Sequence, residues 1–165
     1  MIRVLISGCN GHMGQIVAQL CSENPDVEIA AGINRTPIQK NDFPVYSDPM
    51  EFPGKADVLI DFSNPANLTA LLRYCTEKKM PAVLCTTGYS AEQIQEIEAA
   101  AQVVPMFRSG NMSLGINLLV SLAKKATALL GDQFDVEIIE KHHNQKIDAP
   151  SGTALMIANA INETM

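Results

Sequence analysis

The sequence predicts an α/β protein with a doubly wound parallel sheet, helices on both faces of that sheet, and the start of a second, α+β domain. Short apolar runs alternate with longer segments whose apolar residues recur at helical spacing, which is typical of strand–helix–strand units. A glycine-rich turn joins the first apolar run to the first helical segment. The pattern changes after residue 108, so we expect one domain over 1–108 and a partial second domain over 109–165.

Five apolar runs are predicted to be buried strands, because the strands of a parallel sheet are covered on both faces. They are Ile2–Ser7, Val27–Ile33, Val58–Asp61, Ala82–Thr86 and Val103–Phe107. Three helices are predicted between them, over Gln15–Glu23, Pro65–Lys79 and Ala91–Ala101.

Local signals support these boundaries. Ser63 or Asn64, just before Pro65, is a plausible N-cap for the second helix. Ser90 with Gln93 three residues later reads as a capping box for the third helix. The proline-rich segment Thr36–Gly54 interrupts the alternation and is predicted to be a loop with at most one short edge strand.

The segment after residue 108 indicates a different architecture. A helix is expected from about Ile116 to Leu130, with Gly131 as its C-cap. Phe134–Glu140 alternates apolar and acidic residues, which predicts an amphipathic strand, followed by a loop over Lys141–Ser151 and a last helix. A strand needs neighbours, so we expect a longer protein or a second chain to supply them; the alternative is that this strand joins the edge of the main sheet.

Composition excludes several classes of protein. The 165 residues carry a formal net charge of −6, with 47% hydrophobic and 18% charged residues. A folded core is therefore expected, whereas nucleic acid and anionic membranes are not expected partners. No apolar run is long enough for a membrane-spanning helix. The four widely spaced cysteines form no C-x-x-C pair, which favours reduced thiols, a cytoplasmic location and no metal site.

The glycine-rich turn reads Gly8-Cys9-Asn10-Gly11-His12-Met13-Gly14 and lies between the first strand and the first helix. In a dinucleotide fingerprint the first glycine permits a tight turn, the second lets the backbone approach a pyrophosphate, and the third lets the helix pack against the strand. The start of the helix then offers free N–H groups to the phosphates. We therefore expect a Rossmann domain over 1–108, the alternative being an ordinary glycine turn.

The end of the second strand indicates which nucleotide is bound. An acidic residue there would bind the adenosine ribose, but this sequence has Asn34 followed by Arg35. The neutral Asn34 and cationic Arg35 remove repulsion against a 2′-phosphate. NADPH is therefore expected to be tolerated and even preferred over NADH, unless Arg35 is only a solvated loop charge.

Small polar residues follow three further predicted strands, at the edge of the sheet where ligands bind in open α/β folds. They are Asp61-Phe62-Ser63, Cys85-Thr86-Thr87-Gly88 and Ser109-Gly110-Asn111-Met112-Ser113. Each could be an ordinary turn or cap, but their convergence on one edge favours a site for the ribose and nicotinamide half of the cofactor.

The richest group of reactive side chains lies between residues 140 and 153. It contains two of the three histidines, His142 and His143, and the lysines 141 and 146. Such a patch in an acidic protein would attract an anionic substrate, and a histidine can deliver a proton near neutral pH. Ser151-Gly152-Thr153 opens the last helix and offers a site for a carboxylate. The alternative is a solvated basic loop with an ordinary helix cap.

These motifs together resemble the 4-hydroxy-tetrahydrodipicolinate (dihydrodipicolinate) reductase family over essentially the whole sequence. The most specific match is H-H-x-x-K-x-D-A-P-S-G-T at residues 142–153, supported by the glycine turn, Thr86-Thr87-Gly88 and residues 109–117. The resemblance implies an NADPH- or NADH-dependent reductase of lysine and diaminopimelate biosynthesis. Its substrate would be a small cyclic dicarboxylate imine, and the full-length family member would be a homotetramer.

The resemblance also implies roles for individual residues. His142 would donate the proton, Lys146 would be a catalytic cation and proton-relay partner, and His143 would contact the substrate. A substrate carboxylate would be held by Gly152 and Thr153, with Ser151 beside them. The cofactor would be lined by Gly8, Cys9, Asn10, Gly11, His12, Met13, Asn34, Arg35, Cys85, Thr86, Thr87, Ser109, Gly110, Asn111 and Met112.

Two departures from the family matter. Asn34 replaces the acid often found there, and the family continues where this sequence ends. A truncated chain would bind cofactor but turn over poorly, so a non-catalytic dinucleotide-binding module is one alternative. Another is a Rossmann dehydrogenase that acts on an amino-acid semialdehyde. The His-His-x-x-Lys loop argues against both.

Overall fold

The structure is a computed structural model that describes residues 1–144, 146 and 149–165. The chain forms two compact units, Met1–Ser109 and Gly110–Met165. The strands are β1 (Ile2–Ser7), β2 (Val27–Ile33), β3 (Val45–Tyr46), β4 (Val58–Asp61), β5 (Ala82–Leu84) and β6 (Met106–Arg108). The helices are α1 (His12–Ser22), α2 (Leu68–Lys78), α3 (Ala91–Ala101), α4 (Leu114–Leu130) and α5 (Gly152–Asn162).

The first unit is built on a six-stranded sheet in the order β3-β2-β1-β4-β5-β6. Every neighbouring pair of strands is parallel. Strand order reverses between β1 and β4, so the carboxyl ends of these two strands flank the position where doubly wound folds bind their ligands. The predicted Rossmann architecture is confirmed.

The core of this unit lies on both faces of the sheet. One buried cluster includes Leu5 and Leu59 from the sheet and Leu71, Cys75 and Ile97 from α2 and α3. A smaller cluster on α1 contains Val4, Ile6, Cys9, Ala18 and Phe43. Successive residues of β1 thus pack into the cores on opposite faces of the sheet. Because both faces are covered, the central residues of this strand are all apolar.

The predicted bounds of β1, β2, β4 and α3 are confirmed, and the short edge strand allowed within Thr36–Gly54 is β3. The predicted β5 is wrong at its end, because pairing stops at Leu84 rather than Thr86. The predicted β6 is wrong at its start. The N–H groups of Val103 and Val104 both donate to Ala100 O, at 2.9 and 3.1 Å, so these residues complete the turn after α3.

Two helix starts in the first unit also differ from the prediction. α1 begins at His12 rather than Gln15, because Gly11 adopts the extended backbone of an N-cap. The segment predicted as one helix from Pro65 begins instead with a 3₁₀ turn, Pro65–Asn67, whose N-cap is Asn64. The Asn64 side chain accepts a hydrogen bond from the Ala66 N–H at 2.9 Å.

The second unit contains α4 and α5. Ser113 caps α4 by accepting the Ile116 N–H at 3.4 Å, so the helix starts two residues before the predicted Ile116. Its end at Leu130 is confirmed, and a 3₁₀ turn, Gly131–Gln133, follows. Lys124 of α4 and Glu163, just after α5, form an ion pair at 2.8 Å.

The predicted strand Phe134–Glu140 is wrong: the described segment forms no strand. The alternative that it joins the main sheet is also wrong, since that sheet contains only β1 to β6 among the described residues. Apolar alternation favours an extended backbone, but a strand exists only where a second backbone pairs with it. Of the predicted loop that follows, Gln145, Ile147 and Asp148 lie outside the described residues.

No helix in the described part of the chain is both long and apolar enough to cross a membrane.

Candidate functional site

The glycine turn connects β1 to α1 through a close backbone approach. Gly8 has a positive φ of 78°, and a Cβ there would lie 2.5 Å from the carbonyl oxygen of Phe62. A Cβ on Gly14 would collide with the carbonyl oxygen of Gly8. Both positions therefore require glycine, one for conformation and the other for packing.

The start of α1 is open to a ligand. Gly11 occupies the N-cap and provides no side-chain hydrogen bond to the first turn. The first N–H groups of a helix have no intrahelical partner, and the helix dipole adds positive potential at this end. The turn therefore has the groups that a pyrophosphate requires.

A cavity of about 490 Å³ opens beside this turn, which is within the size range of small-molecule sites. Its walls come from the glycine turn, the end of β2, the segment after β3, and the turn between β4 and α2. The lining residues that bear on the site are Gly8, Gly11, Asn34, Arg35, Thr36, Asp48, Phe62 and Ser63. The sheet edge thus brings together the predicted glycine turn and the predicted ribose-recognition residues.

Ser63 is the residue on this wall with an unmet hydrogen-bonding requirement. Its Oγ is buried and has no hydrogen-bond partner among the described residues. A buried hydroxyl without a partner costs about 1–3 kcal/mol, so such atoms are uncommon in native proteins. The sequence placed Ser63 at the sheet edge and offered it, or Asn64, as a helix cap; the cap is Asn64, so the Ser63 hydroxyl is not used there.

The segment after β2 is held in place by side-chain amides. Asn34 Nδ2 donates to the carbonyl oxygen of Thr36 at 3.0 Å. Asn10 Nδ2 reaches across from the glycine turn to the carbonyl oxygens of Ile38, at 2.8 Å, and Thr36, at 3.3 Å. Arg35 lies between these anchored residues and is exposed.

Asn10 and His12 also line a second cavity, of about 600 Å³, which is bounded by α1 and Lys40–Phe43. The Cys9 side chain is fully buried and takes part in the α1 core cluster, so only its backbone is available to a ligand. Met13 is 44% exposed at the start of α1. Of the glycine-turn residues predicted to line the cofactor, some line a cavity, Cys9 belongs to the core, and Met13 lies on the surface.

Asp61 organises the edge formed by β4 and β5. Its carboxylate is fully buried and accepts the Thr86 hydroxyl at 2.7 Å, the Tyr89 hydroxyl at 3.2 Å and the Ser63 N–H at 3.1 Å. Burial, together with the Asp61 charge, raises the pKa of Tyr89. Thr86, predicted to line the cofactor, is thus buried with its hydroxyl bound to Asp61, whereas Thr87 is exposed.

The thiol of Cys85 is also buried at this edge, and burial followed by the Asp61 charge raises its pKa to about 11. Burial likewise raises the pKa of Cys9 to about 11. Neither thiol is a thiolate near neutral pH, so these cysteines contribute packing and not nucleophilic chemistry.

The start of α5 in the second unit is built around Ser151. Its Oγ accepts the Ala154 N–H at 3.1 Å, and its own N–H donates to Glu140 Oε1 at 2.9 Å. Helix geometry leaves the N–H groups of Gly152 and Thr153 without intrahelical partners. These two N–H groups lie at the position where the sequence predicts a carboxylate site.

Glu140 also approaches the histidine pair. Its Oε2 lies 3.6 Å from His142 Nδ1. Hydrogen bonding from Ser151, followed by the charges of His142 and Lys146, holds the pKa of Glu140 below its usual value. The carboxylate therefore joins the two ends of the loop that carries His142, and the sequence prediction gave it no role.

Two further contacts shape this loop. The Lys146 N–H donates to the His143 carbonyl oxygen at 3.2 Å. Asn111 Nδ2 donates to the Thr153 hydroxyl at 2.8 Å, while Asn111 Oδ1 accepts the Ser113 N–H at 2.8 Å. Asn111, predicted to line the cofactor, therefore contacts the predicted carboxylate site. The other predicted residues of this stretch, Ser109, Gly110 and Met112, lie between β6 and α4.

Within the described residues, no group of three or more His, Cys, Asp or Glu side chains could hold a metal ion.

Comparison with known proteins gives consistent matches. The model of the N-terminal part of dihydrodipicolinate reductase matches residues 2–112, and the model of its C-terminal part matches residues 115–165. The chain is 52% identical, over all of its 165 residues, to 4-hydroxy-tetrahydrodipicolinate reductase from Caldanaerobacter subterraneus subsp. tengcongensis. It is 47% identical over the same length to the enzyme of that name from Clostridium tetani. The chain spans about 65% of the length of both relatives.

Solved structures agree with these matches. The dipicolinate-bound dihydrodipicolinate reductase from Paenisporosarcina sp. TG-14 is similar over 99% of this chain and 66% of its own, with a TM-score of 0.80 and 32% identity. GenD2 from gentamicin A biosynthesis, in complex with NAD, matches 77% of this chain and 40% of its own, with a TM-score of 0.59 and 16% identity. The second likeness concerns the fold alone.

Proposed function

The chain belongs to the dihydrodipicolinate reductase family, and from that premise we propose that its protein reduces 4-hydroxy-tetrahydrodipicolinate with NADPH or NADH. This reaction is a step in the biosynthesis of diaminopimelate and lysine. The observation that carries the proposal is that Glu140 contacts both the Ser151 N–H at the start of α5 and the imidazole of His142. The resemblance implies a homotetramer for the full-length protein.

The first unit fits a nicotinamide dinucleotide. The cradle of Gly8, Gly11 and Gly14 admits no larger side chain without a shift of the backbone, and Ser63 Oγ lacks a partner on the wall of the adjoining cavity among the described residues. The dinucleotide supplies a hydride when it is bound. We assign to its binding Gly8, Cys9, Asn10, Gly11, His12, Met13, Asn34, Arg35, Cys85, Thr86, Thr87, Ser109, Gly110, Asn111 and Met112, with Ser63 added.

Arg35 is the proposed contact for the 2′-phosphate of NADPH. It is exposed on the rim of the cavity, and the adjacent Asn34 is neutral and already bound to the Thr36 carbonyl. An exposed guanidinium can form two parallel hydrogen bonds with a phosphate. NADPH is therefore expected to bind at least as tightly as NADH.

The second unit supplies the groups for a dianionic substrate. One carboxylate would accept hydrogen bonds from the N–H groups of Gly152 and Thr153 at the start of α5, with Ser151 beside them. His143 and Lys146 would contact the rest of the substrate and balance its negative charge. Because Glu140 already occupies the Ser151 N–H, it sets the boundary of the carboxylate site.

His142 is the proposed proton donor. Reduction of a conjugated imine needs one hydride and one proton, and an imidazole can supply the proton near neutral pH. Since Nδ1 faces Glu140, Nε2 is the ring atom from which the proton would leave. Lys146 would stabilise the developing charge and assist the return of a proton to His142.

The test is a direct assay of the full-length protein with NADPH or NADH and enzymatically generated substrate, followed by the loss of nicotinamide absorbance. His142→Ala and Lys146→Ala are each expected to lower kcat by about 100-fold or more, the range typical of a lost acid–base group. Lys125→Ala, which removes an exposed lysine from α4, is the matched control and should leave the rate unchanged.

Turnover that survives both substitutions would overturn the proposed mechanism. Tight NADPH binding without any turnover in the wild-type protein would favour a dinucleotide-binding module instead. Failure to bind either nucleotide would overturn the proposed role of the glycine turn.

A further inference from the structure

We propose that Asn10 is a positioning residue that determines the nucleotide preference by holding the segment of Arg35 against the glycine turn. This inference rests on the proposed function, because it assumes that the cavity beside the turn receives the adenosine half of a dinucleotide. It goes beyond that function because it assigns the discrimination between NADPH and NADH to a residue that does not itself meet the 2′-phosphate.

The first observation is the hydrogen bonding of one amide group. Asn10 Nδ2 donates to Ile38 O at 2.8 Å and to Thr36 O at 3.3 Å, across 28 and 26 residues of sequence. Both bonds join the glycine turn to the segment that follows β2. A side-chain amide has two N–H donors, so this one group uses its full donor capacity on that segment.

The second observation is the convergence of donors on the Thr36 carbonyl. Besides Asn10, Asn34 Nδ2 donates to this oxygen at 3.0 Å and the Ile38 N–H donates to it at 2.8 Å. Arg35 thus lies in the chain between Asn34 and Thr36, and these two neighbours are joined by the hydrogen bond from Asn34 Nδ2 to the Thr36 carbonyl oxygen. Among the described donors to the Thr36 carbonyl, Asn10 is the one from outside this segment, while the Asn34 N–H separately donates to the Tyr46 carbonyl of β3 at 2.9 Å. Removing Asn10 therefore leaves the residues after Asn34 without their bond to the glycine turn.

The third observation is the location of Asn10 relative to the cavity. Gly8, Gly11, Asn34, Arg35 and Thr36 line the 490 Å³ cavity, whereas Asn10 lines the other cavity, of about 600 Å³. The Asn10 side chain would therefore influence the nucleotide indirectly, by holding the segment that carries Arg35. The sulfur of Cys9 lies 3.8 Å from Asn10 Oδ1, which helps to fix the orientation of the amide.

Loosening the segment that carries Arg35 should affect the binding of NADPH and NADH unequally. A loop that is already held in its binding conformation loses less conformational freedom when the ligand binds. Only NADPH carries the phosphate that Arg35 would meet, so loosening this segment should weaken NADPH binding while leaving NADH nearly unaffected. If Asn10 served only to stiffen the glycine turn, both nucleotides would be affected equally, since both carry the pyrophosphate.

The test measures the dissociation constants of NADPH and NADH for the full protein by fluorescence titration, so that binding is read independently of turnover. Asn10→Ala is expected to weaken NADPH about fivefold, as for the loss of about one net hydrogen bond, and NADH less than twofold. Asn10→Gly is the second variant, and Asn24→Ala, which removes an amide outside the site, is the matched control. Thermal unfolding checks that each variant is folded.

The decisive comparison repeats Asn10→Ala in an Arg35→Ala background. The selective effect on NADPH is expected to disappear there, because the phosphate contact that Asn10 positions is already gone. An equal weakening of both nucleotides, no change in either, or a selective effect that persists without Arg35 would each overturn the proposal. If the wild-type protein binds neither nucleotide, the proposed function itself fails; if it binds both but Arg35→Ala changes nothing, the role of Arg35 fails and this inference fails with it.

Discussion

At the scale of single residues, Asp61 shows how one buried carboxylate can shape a binding edge. It ends β4, is fully buried, and accepts donors from three positions that follow two different strands. Removing it would leave the buried Thr86 hydroxyl without its acceptor, at a cost of about 1–3 kcal/mol, and the half-buried Tyr89 hydroxyl would lose the same partner. The conformation of the β5–α3 connection therefore depends on a residue that need not touch a ligand.

Gly14 provides a sharp test of the glycine turn. A Cβ at this position would collide with the Gly8 carbonyl oxygen, so Gly14→Ala must move the backbone of the turn. We expect the substitution to destabilise the protein by about 1–3 kcal/mol, the usual cost of overpacking, and to weaken dinucleotide binding at least tenfold. Urea unfolding and fluorescence titration measure the two effects.

Gly115→Ala is the matched control for this prediction. Gly115 is also a helical glycine, but its Cβ would meet only Ser113 Oγ, at 3.7 Å, in the described surroundings. Because Gly115 is the second residue of α4, the substitution should leave stability unchanged or raise it slightly, and nucleotide binding should be unchanged. Equal effects of the two substitutions would contradict the role assigned to the turn.

The thiols give a second test at this scale. Burial raises the pKa of Cys75 to about 12, and the thiols of Cys9 and Cys85 have pKa values of about 11, whereas Cys21 is partly exposed. At pH 8 only about a thousandth of a thiol with a pKa of 11 is ionised, and the thiolate is the reactive form. We expect maleimide to label Cys21 first, and mass spectrometry of digested protein to find the other three unlabelled until urea is added.

Cys21→Ser should abolish this early labelling. A rise in pH towards 11 ionises more of the buried thiols, but their labelling should still be slow because maleimide cannot reach them. Rapid labelling of Cys9 in the native protein at pH 8 would contradict the burial of its side chain in the core cluster beside α1.

The candidate site could be predicted from sequence where a residue type and its neighbours in the chain carry the chemistry. This applies to the local geometry of the glycine turn and to the helix start at Ser151, whereas the catalytic roles of His142 and Lys146 stay predictions. The contacts of Glu140 with Ser151 and of Asn111 with Thr153 join residues 11 and 42 positions apart, and no local pattern predicts such pairs. The same holds for the buried state of Thr86, which depends on Asp61.

At the scale of elements, α3 depends on reciprocal capping. Ser90 Oγ accepts the Gln93 N–H at 3.2 Å, and the Ser90 N–H donates to Gln93 Oε1 at 3.0 Å. Gln93 Nε2 also donates to the Pro65 carbonyl at 2.7 Å, which links this cap to the turn before α2. One residue pair therefore fixes both the start of α3 and its position beside α2.

Ser90→Ala should lower the free energy of unfolding by about 1 kcal/mol, because it removes the side chain that satisfies a helix-end N–H. Urea denaturation monitored by circular dichroism measures this change. Ser121→Ala, at an exposed interior position of α4, is the control and should be neutral or slightly stabilising, since alanine has the higher helix propensity. An equal response of the two variants would show that the cap contributes nothing.

Elements could be predicted where local pattern and tertiary environment agree. The central strands β1, β2 and β4 have apolar runs whose length is set by burial, and α3 carries its own capping signal, so their bounds were predictable. The ends of β5 and the start of β6 depend on where the pairing of backbones stops. Phe134–Glu140 has the alternation of a strand, but Phe134, Val136 and Ile138 are 56%, 49% and 41% exposed. Alternation indicates which residues would share a face and contains no information about a pairing partner.

At the scale of the whole molecule, the two units differ in how much apolar surface each one buries. The buried clusters of the described chain lie entirely within the first unit. In the second unit α5 buries Ala154, Ala160 and Ile161, whereas α4 has no buried residue. Apolar side chains on α4 remain exposed, among them Leu114, Leu118, Leu119, Leu122 and Leu129.

This difference predicts a gradient of local stability. Opening β1 must expose Leu5 and Ile6, which are completely buried and paired on both sides, so its amides should exchange hydrogen only through global unfolding of the unit. Opening α4 exposes little additional apolar surface, so its interior amides should exchange through local fluctuations and at least 100-fold faster, with α5 between the two. Hydrogen exchange read by mass spectrometry on the free protein measures all three elements in one experiment, each corrected for its intrinsic rate. Equal protection of α4 and β1 would contradict the exposed state of the α4 leucines, because a helix that exchanges as slowly as the central strand must have its apolar face covered in solution.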